Sequence, residues 1–348
     1  MTLDILKEAL NGKPNFRLKQ SIKLVFQDLI EDWNEASVFS LDLRNELIEK
    51  VSLKIEADMF LSDDKKSGKA IIKLKDDLKV ETALMSHKNG RNTICVSSQI
   101  GCPLACKFCS TGQMGFKRNL DHNEILLQVL FWSRYLKARN EKVTNIVFMG
   151  MGEPFLNYNN VFLAIKFLND KDFFNISSRK ISISTVGLIR EIKKMAGEKY
   201  RVNLAISLHA SNDKTRNRLI PNAESDSIAK ILEAVDFYIK KTGRKVMFEY
   251  LMIKDVNDSF KDAKSLATLM RKPLYFVNLI KYNENGAFKS SDDKIIKNFK
   301  NILQKEKVEV IERYRINQDV LGACGQLALK NPIKHKKIVN SNETIDIV

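Results

Sequence analysis

The chain has 348 residues, of which 44% are hydrophobic and 29% charged, the proportions of a folded globular protein and not of a disordered one. It contains no run of about 18 apolar residues, which excludes a transmembrane helix from the reading. The opening MTLDILKEALNGKPNF lacks the basic-then-apolar layout of a secretory signal, so a cytoplasmic protein is expected. A net charge of +16 fits a polyanionic partner such as nucleic acid, although a lysine-rich composition alone gives the same sum.

Residues 1–75 read as a small helical accessory domain. Segments 21–29 (SIKLVFQDL) and 41–53 (LDLRNELIEKVSL) place apolar side chains at helical spacing. The polar stretch 63–70 (DDKKSGKA) suits a boundary loop, and 70–75 and 79–85 alternate as short strands do. From residue 92 a strand-then-helix pattern repeats. Strands are expected at 93–99, 145–149, 180–185, 202–208, 245–252 and 274–280, with 308–314 as a seventh. Helices are expected at 121–138, 160–168, 188–195, 227–240, 261–270 and 292–304. Asp121, followed three residues later by Glu124, begins the first of these as a capping box does.

Apolar runs alternating with amphipathic helices indicate parallel strands covered by helices. The unit count falls short of eight, so the expected fold is α/β, a partial (open) parallel β/α barrel with the helical domain at its N-terminus. A doubly wound sheet is the alternative. The expected division is 1–75 accessory, 76–330 core and 331–348 a peripheral tail.

In a parallel barrel the active site lies at the carboxyl ends of the strands. Small and polar residues collect at that rim here. A cysteine loop follows the first strand, and GMGEP (150–154) follows the second. Ser184 and Thr185 end the third, and Ser207, Leu208 and His209 end the fourth. Tyr282 and Asn283 follow the sixth, and Cys324 lies past the last.

Four of the five cysteines fall within CVSSQIGCPLACKFCSTGQMGFKRNL, which begins at Cys95. Cys102, Cys106 and Cys109 form a C-x3-C-x2-C loop. Structural zinc wants four protein ligands, and no second pair follows; His122 is a fourth candidate, but it stands at a helix start. An iron–sulfur cluster held by three thiolates leaves one iron open to a further ligand. Cys95 alone also reads as a buried strand cysteine, and Cys324 as a lone loop thiol.

This loop, with the aromatic Phe108 before its last cysteine, resembles that of the radical S-adenosylmethionine (SAM) enzymes. Over a longer span, from about Glu81 to the C-terminus, six ordered blocks are similar to the RlmN/Cfr family of RNA adenine methyltransferases. They are the cysteine block, FMGMGEPFLNYNNV, KISISTVG, LAISLHA, VNLIKYN and ACGQLA. The forms CSTG and GFKRNL are more like the branch that methylates adenine C2 than its sister, which methylates C8 and confers antibiotic resistance.

The resemblance implies a [4Fe-4S] cluster on Cys102, Cys106 and Cys109, and two molecules of SAM per turnover. It implies SAM contacts from Gly152, Glu153, Ser184, Ser207, Leu208, His209 and Asn283. Cys324 then carries a methyl group, from which a carbon radical forms and adds to adenine C2. Cys95 attacks Cys324 to release the methylated base and leaves a disulfide, and Glu81 accepts a proton. The implied substrates are 23S rRNA, at the peptidyl transferase centre, and tRNA, at the adenine 3′ of the anticodon. The implied partners are a flavodoxin- or ferredoxin-like electron donor and no membrane, with the enzyme a monomer. Outside this reading stands a zinc-stabilised RNA-binding protein without catalysis. Lys117, Arg118, Arg216 and Arg218 are candidate phosphate contacts, or ordinary solvated charges. Two loops depart from the family pattern: RLIPNAESDSI lacks a Pro-Ile-Asn element, and INQDVLGACG lacks an acidic run before Cys324.

Overall fold

Each apolar run of the repeating region becomes a strand, and each amphipathic segment a helix that covers it. A computed structural model describes residues 3–63, 66–223, 226–313, 325–329 and 338–339. Helices α1 (Leu3–Ala9), α2 (Asn15–Phe26) and α3 (Leu41–Lys50) come first. Strands β1 (Ala57–Leu61), β2 (Gly68–Lys73), β3 (Lys79–Ser86) and β4 (Asn92–Val96) follow. A short hairpin, β5 (Gln99–Gly101) and β6 (Phe116–Asn119), encloses the one-turn helix α4 (Ser110–Gln113).

The repeating units then run in order. They are α5 (His122–Lys137), β7 (Asn145–Phe148), α6 (Tyr158–Asn169), β8 (Ile181–Thr185), α7 (Ile189–Met195) and β9 (Asn203–Ser207). Next come α8 (Asp213–Leu219), α9 (Ile228–Thr242), β10 (Val246–Met252), α10 (Phe260–Met270), β11 (Tyr275–Lys281), α11 (Asp293–Lys305), β12 (Val310–Arg313) and β13 (Ile338–Val339).

Among the described residues, eleven strands form one sheet in the order β12-β11-β10-β9-β8-β7-β4-β3-β2-β1-β13. Every pairing from β4 through β12 is parallel, and those from β4 back through β1 to β13 are antiparallel. This is the open parallel β/α arrangement expected from the sequence, with β12 and β13 as unclosed edges. The sheet starts earlier than the pattern suggested. β2 falls on the short strand expected at 70–75, whereas β1 lies inside the segment read as helical, because Met59, like Ala70 and Ile72, is drawn into the main core beside Ile94 and Val96.

That core lies between the sheet and its helices. Ile146, Ile181, Ile183, Leu204, Ile206, Val246 and Phe248 are all fully or almost fully buried in it. The strands read as near-continuous apolar runs because both faces are covered. Each buried side chain of this size contributes about 1.5–3 kcal/mol. α5 begins on the expected capping box, with Asp121 accepting from the Glu124 amide and Glu124 from that of Asp121.

The N-terminal helices build a second cluster around Leu6, Val25, Trp33, Leu43 and Leu47, joined by Leu130 of α5 and by Phe173. Trp33 closes it by donating to the Val51 carbonyl at 2.7 Å. A polar tie fixes it to the sheet domain. The buried Arg134 of α5 donates to the carbonyl of Leu53 at 2.8 Å and to that of Ile30. Arg134→Ala leaves both carbonyls unpaired and is expected to lower unfolding free energy by about 2–4 kcal/mol, read as a shift of the urea midpoint.

Candidate active site at the carboxyl rim

The rim is organised by the chain leaving β4. Ser97 is fully buried. Its hydroxyl donates to the Glu81 carbonyl at 2.6 Å and accepts from the Met151 amide at 2.8 Å. Its amide donates to Gln128 Oε1 at 2.8 Å, and Gln128 Nε2 donates back to its carbonyl at 3.0 Å. Gly150 must be glycine here, since a Cβ on it would lie 2.6 Å from the Ser97 hydroxyl and 2.8 Å from its amide.

The cysteine loop is shaped by backbone bonds. Cys102 N–H donates to Gly115 O at 2.9 Å, Cys109 N–H to Cys106 O at 3.1 Å, and Lys107 N–H to Leu219 O at 3.0 Å. Asn222 holds the Pro103 carbonyl at 2.6 Å. Gly101 has φ +75°, and a Cβ there would meet Gly115 O at 1.8 Å. Cys102, Cys106 and Cys109 all line one cavity, whose opposite wall carries Gly152, Glu153, Ser184, Ser207 and His209.

Burial pushes the Cys102 thiol up to about 12 and the Cys106 thiol well above its ordinary value, with the neighbouring thiols adding to the push. Thiols so placed are neutral until a positively charged centre draws them into the thiolate form. Among the described residues, no three His, Cys, Asp or Glu groups converge on one point, as a single zinc at about 2.3 Å from each sulfur requires. Three thiols that line one cavity can each take one iron of a cluster.

The far wall is a buried acceptor system. Glu153 Oε1 accepts from the Phe155 amide at 3.0 Å and Oε2 from the Val186 amide at 2.9 Å. Burial nevertheless raises its carboxyl to about 7. Glu249 of β10 receives the Ser184 hydroxyl at 2.6 Å and the Ser207 hydroxyl at 3.4 Å. The amides of Leu208 and His209 both donate to the Glu249 carbonyl at 3.1 Å. His209 is buried with φ +58°, edge-on to Phe108 at 4.8 Å. Burial, then the nearby Arg216 charge, lowers its imidazolium to about 3. The Leu251 amide donates to Nδ1 at 3.2 Å, so the neutral ring carries its proton on Nε2. Leu208 is fully buried, and Asn283 is buried directly after the cavity residue Tyr282.

Cys95 is buried on β4, opposite Ala83 of β3 and Val147 of β7. It packs with Ala83, Met85, Val147 and Met149, and Met149 reaches the cavity. Glu81 is fully buried on β3, beside the same loop. Cys324 lies outside the described residues. The residues that follow it are docked at the rim. Gly325 lines the cavity, and its carbonyl accepts from the Ser110 amide at 2.8 Å. The Leu327 carbonyl accepts from Thr111 Oγ1 at 2.6 Å.

Other candidates lie elsewhere. Arg216 is fully buried and donates to the carbonyls of Val186 and Asp226, so it does not meet phosphates; the apolar packing of α8 under the cysteine loop draws it in. Arg118 is shared between Asp76 and Glu124. His122 stacks on Phe167 at 5.6 Å. Glu249, Ser97 and Gln128 were not singled out by sequence. A signal for Glu249 exists: a lone carboxylate inside the apolar run VMFEYLM must be buried with donors.

Gly112 of α4 backs onto the loop, where a Cβ would come within 2.8 Å of the Cys106 amide. Gly112→Ala is expected to cut the iron retained after anaerobic reconstitution to below about half, with the far-ultraviolet circular dichroism unchanged.

The sequence profile of the Radical SAM superfamily matches residues 96–267. The chain is 40% identical to the probable dual-specificity RNA methyltransferase RlmN of Dictyoglomus turgidum, over 91% of each protein. It is 43% identical to the protein of the same name from Carboxydothermus hydrogenoformans, over 93% of this chain and 94% of that one. It also superposes on the crystal structure of a radical SAM methyltransferase from Sphaerobacter thermophilus. The TM-score is 0.88 at 36% identity, covering 94% of this chain and 97% of that one. Radical SAM proteins work with an iron–sulfur cluster and S-adenosylmethionine, and the three-thiol cavity fits that pair. The chain therefore belongs to the RlmN family of radical SAM RNA methyltransferases and is an enzyme of that type.

Proposed function

We propose that this enzyme methylates adenine at C2, in 23S rRNA at the peptidyl transferase centre and in tRNA at the adenine 3′ of the anticodon. The observation that carries the reading is one cavity. Its walls hold Cys102, Cys106 and Cys109, the Gly152–Glu153 turn, the two serines, and Gly325, the residue next to Cys324. The CSTG and GFKRNL forms of the cysteine block favour C2 over C8.

Adenine C2 is an electron-poor carbon that cannot attack a methyl sulfonium directly. Cys102, Cys106 and Cys109 would hold a [4Fe-4S] cluster, which when bound would supply the single electron that turns SAM into a radical source, with two molecules of SAM per turnover. Gly152, Glu153, Ser184, Ser207, Leu208, His209 and Asn283 are assigned to hold SAM. The neutral His209 offers an Nε2–H donor there, and the Glu249-bound serines keep lone pairs open to a ligand hydroxyl.

Cys324 is assigned as the methyl carrier. Once it is joined to the RNA base through that carbon, the adduct gives up its unpaired electron to the redox system that supplied the enzyme, Glu81 takes the C2 proton to restore the aromatic ring, and Cys95 releases the product. The Cys95 sulfur bonds to that of Cys324, and the Cys324–carbon bond breaks with its electron pair left on carbon. That carbon takes a proton and becomes the methyl group. A thiol-class reductant then returns both cysteines with two electrons and two protons, which suits a cytoplasmic enzyme.

The net charge of +16 supports sequence-independent affinity for RNA, and the base must leave its stack to reach the cavity. Residues 1–75 are assigned as an RNA-contacting accessory domain, 76–330 as the catalytic body and 331–348 as a tail. A flavodoxin- or ferredoxin-like protein is the assigned electron donor to a monomeric enzyme.

Nucleoside mass spectrometry of both RNAs after reaction tests the assignment. The expected product is 2-methyladenosine from each; 8-methyladenosine instead would move the enzyme to the C8 branch. Cys324→Ala is expected to abolish methylation, whereas Cys95→Ala retains the protein–RNA adduct on a denaturing gel.

A further inference from the structure

Two charged side chains with no exposed surface face each other on the antiparallel part of the sheet. Lys69 lies on β2 and Glu81 on β3, with Nζ and Oε1 3.0 Å apart and each side chain 0% exposed. Strand register ties the pair to the site. Lys69 pairs with Ala83, and Ala83 with Cys95. Glu81 is two residues from Ala83, so Lys69, Glu81 and Cys95 project from one face of the sheet. That face continues through Val147 and Met149 to the cavity.

A buried ion pair is a weak stabilising device, because desolvation offsets much of the attraction. Apolar residues would serve a purely structural strand pair as well. The surroundings instead keep one carboxylate oxygen available. Oε1 takes the Lys69 ammonium, while Oε2 is buried with no hydrogen-bond partner among the described residues. The amides of Ala328 and Leu329, from the segment that follows Cys324, approach the carboxylate and favour its ionised form. The Phe60 ring lies 6.0 Å from the Lys69 nitrogen.

Resting on the reading that Glu81 accepts the adenine proton, we propose that Lys69 is the positioning residue for that transfer, holding Glu81 ionised and Oε2 available in a site closed to water. In the step, the C2–H bond breaks and its electron pair stays with the ring. The proton passes to Glu81, which becomes a neutral acid, and Lys69 keeps all its protons.

The sign of the pH dependence follows. Burial pushes the Glu81 carboxyl up, and Lys69 opposes that push. Around it on this face stand the Cys95 thiol of β4, the Asp58 carboxylate of β1 across Ile71, the Lys73 and Lys79 ammonium groups at the next register step, the apolar Ala83, and the two amides. Without the ammonium, the acid form persists to higher pH. The base is then lost at neutral pH and recovered as pH rises.

The test is single-turnover release of methylated RNA against pH, with the protein–RNA adduct followed on denaturing gels, in the reconstituted enzyme. Lys69→Met is expected to slow release at least tenfold at neutral pH, to accumulate adduct, and to regain most of the rate about one pH unit higher. Lys69→Arg keeps the charge and is expected to stay within threefold of the parent. Should Lys69→Met fail to fold, Lys69→Gln, which keeps a donor without the charge, gives the same reading. An acid limb that does not move in a charge-removing variant overturns the role of Lys69. Normal release by Glu81→Gln overturns the assignment of Glu81 as base, and is seen without any change at Lys69.

Discussion

The four hydrogen bonds of Ser97 fasten together the parts on which the site depends. They join β3 through the Glu81 carbonyl, the glycine turn after β7 through Met151, and α5 through Gln128. None of these groups reaches solvent, so each must be satisfied inside the protein. The result is a fixed start for the cysteine loop and a fixed seat for the turn opposite. A displacement at Ser97 is felt at Glu81, at Glu153 and at the first loop cysteine together.

A dry rim follows from this. Cys102, Cys106, Glu153, His209, Glu249 and Glu81 are all buried, and burial moves those whose titration is perturbed toward their neutral forms. In such a medium each interaction between charges is stronger than in water. The proposed chemistry uses that in two ways. A metal centre is the charge that makes the thiols thiolates, and Lys69 is the charge that keeps one carboxylate basic. The docked segment 325–329 completes the rim from the far end of the chain, and it also lies against Glu81.

Much of this was legible in the sequence. The alternation of apolar runs with amphipathic helices predicted the parallel sheet, and strand ends predicted which residues share the rim, because side chains at the carboxyl ends of parallel strands must converge. What stayed hidden depended on register and burial. Lys69 reads as one lysine among many until its pairing with Ala83 turns it toward Glu81. Glu249 sits in an apolar run whose strand partners are set by tertiary structure. Arg216 looks like a phosphate contact in RNRL, yet helix packing buries it beneath the cysteine loop. β1 was obscured because its short strand shares a segment with helical periodicity.

The account turns on five cysteines acting as one centre, three holding the cluster and two exchanging a bond. The most direct measurement of that claim is non-reducing peptide mass mapping after mild oxidation of a variant in which Cys102, Cys106 and Cys109 are replaced by alanine. The account predicts an intramolecular link between the peptides of Cys95 and Cys324. Separate thiol peptides, or a link formed only between molecules, would contradict it.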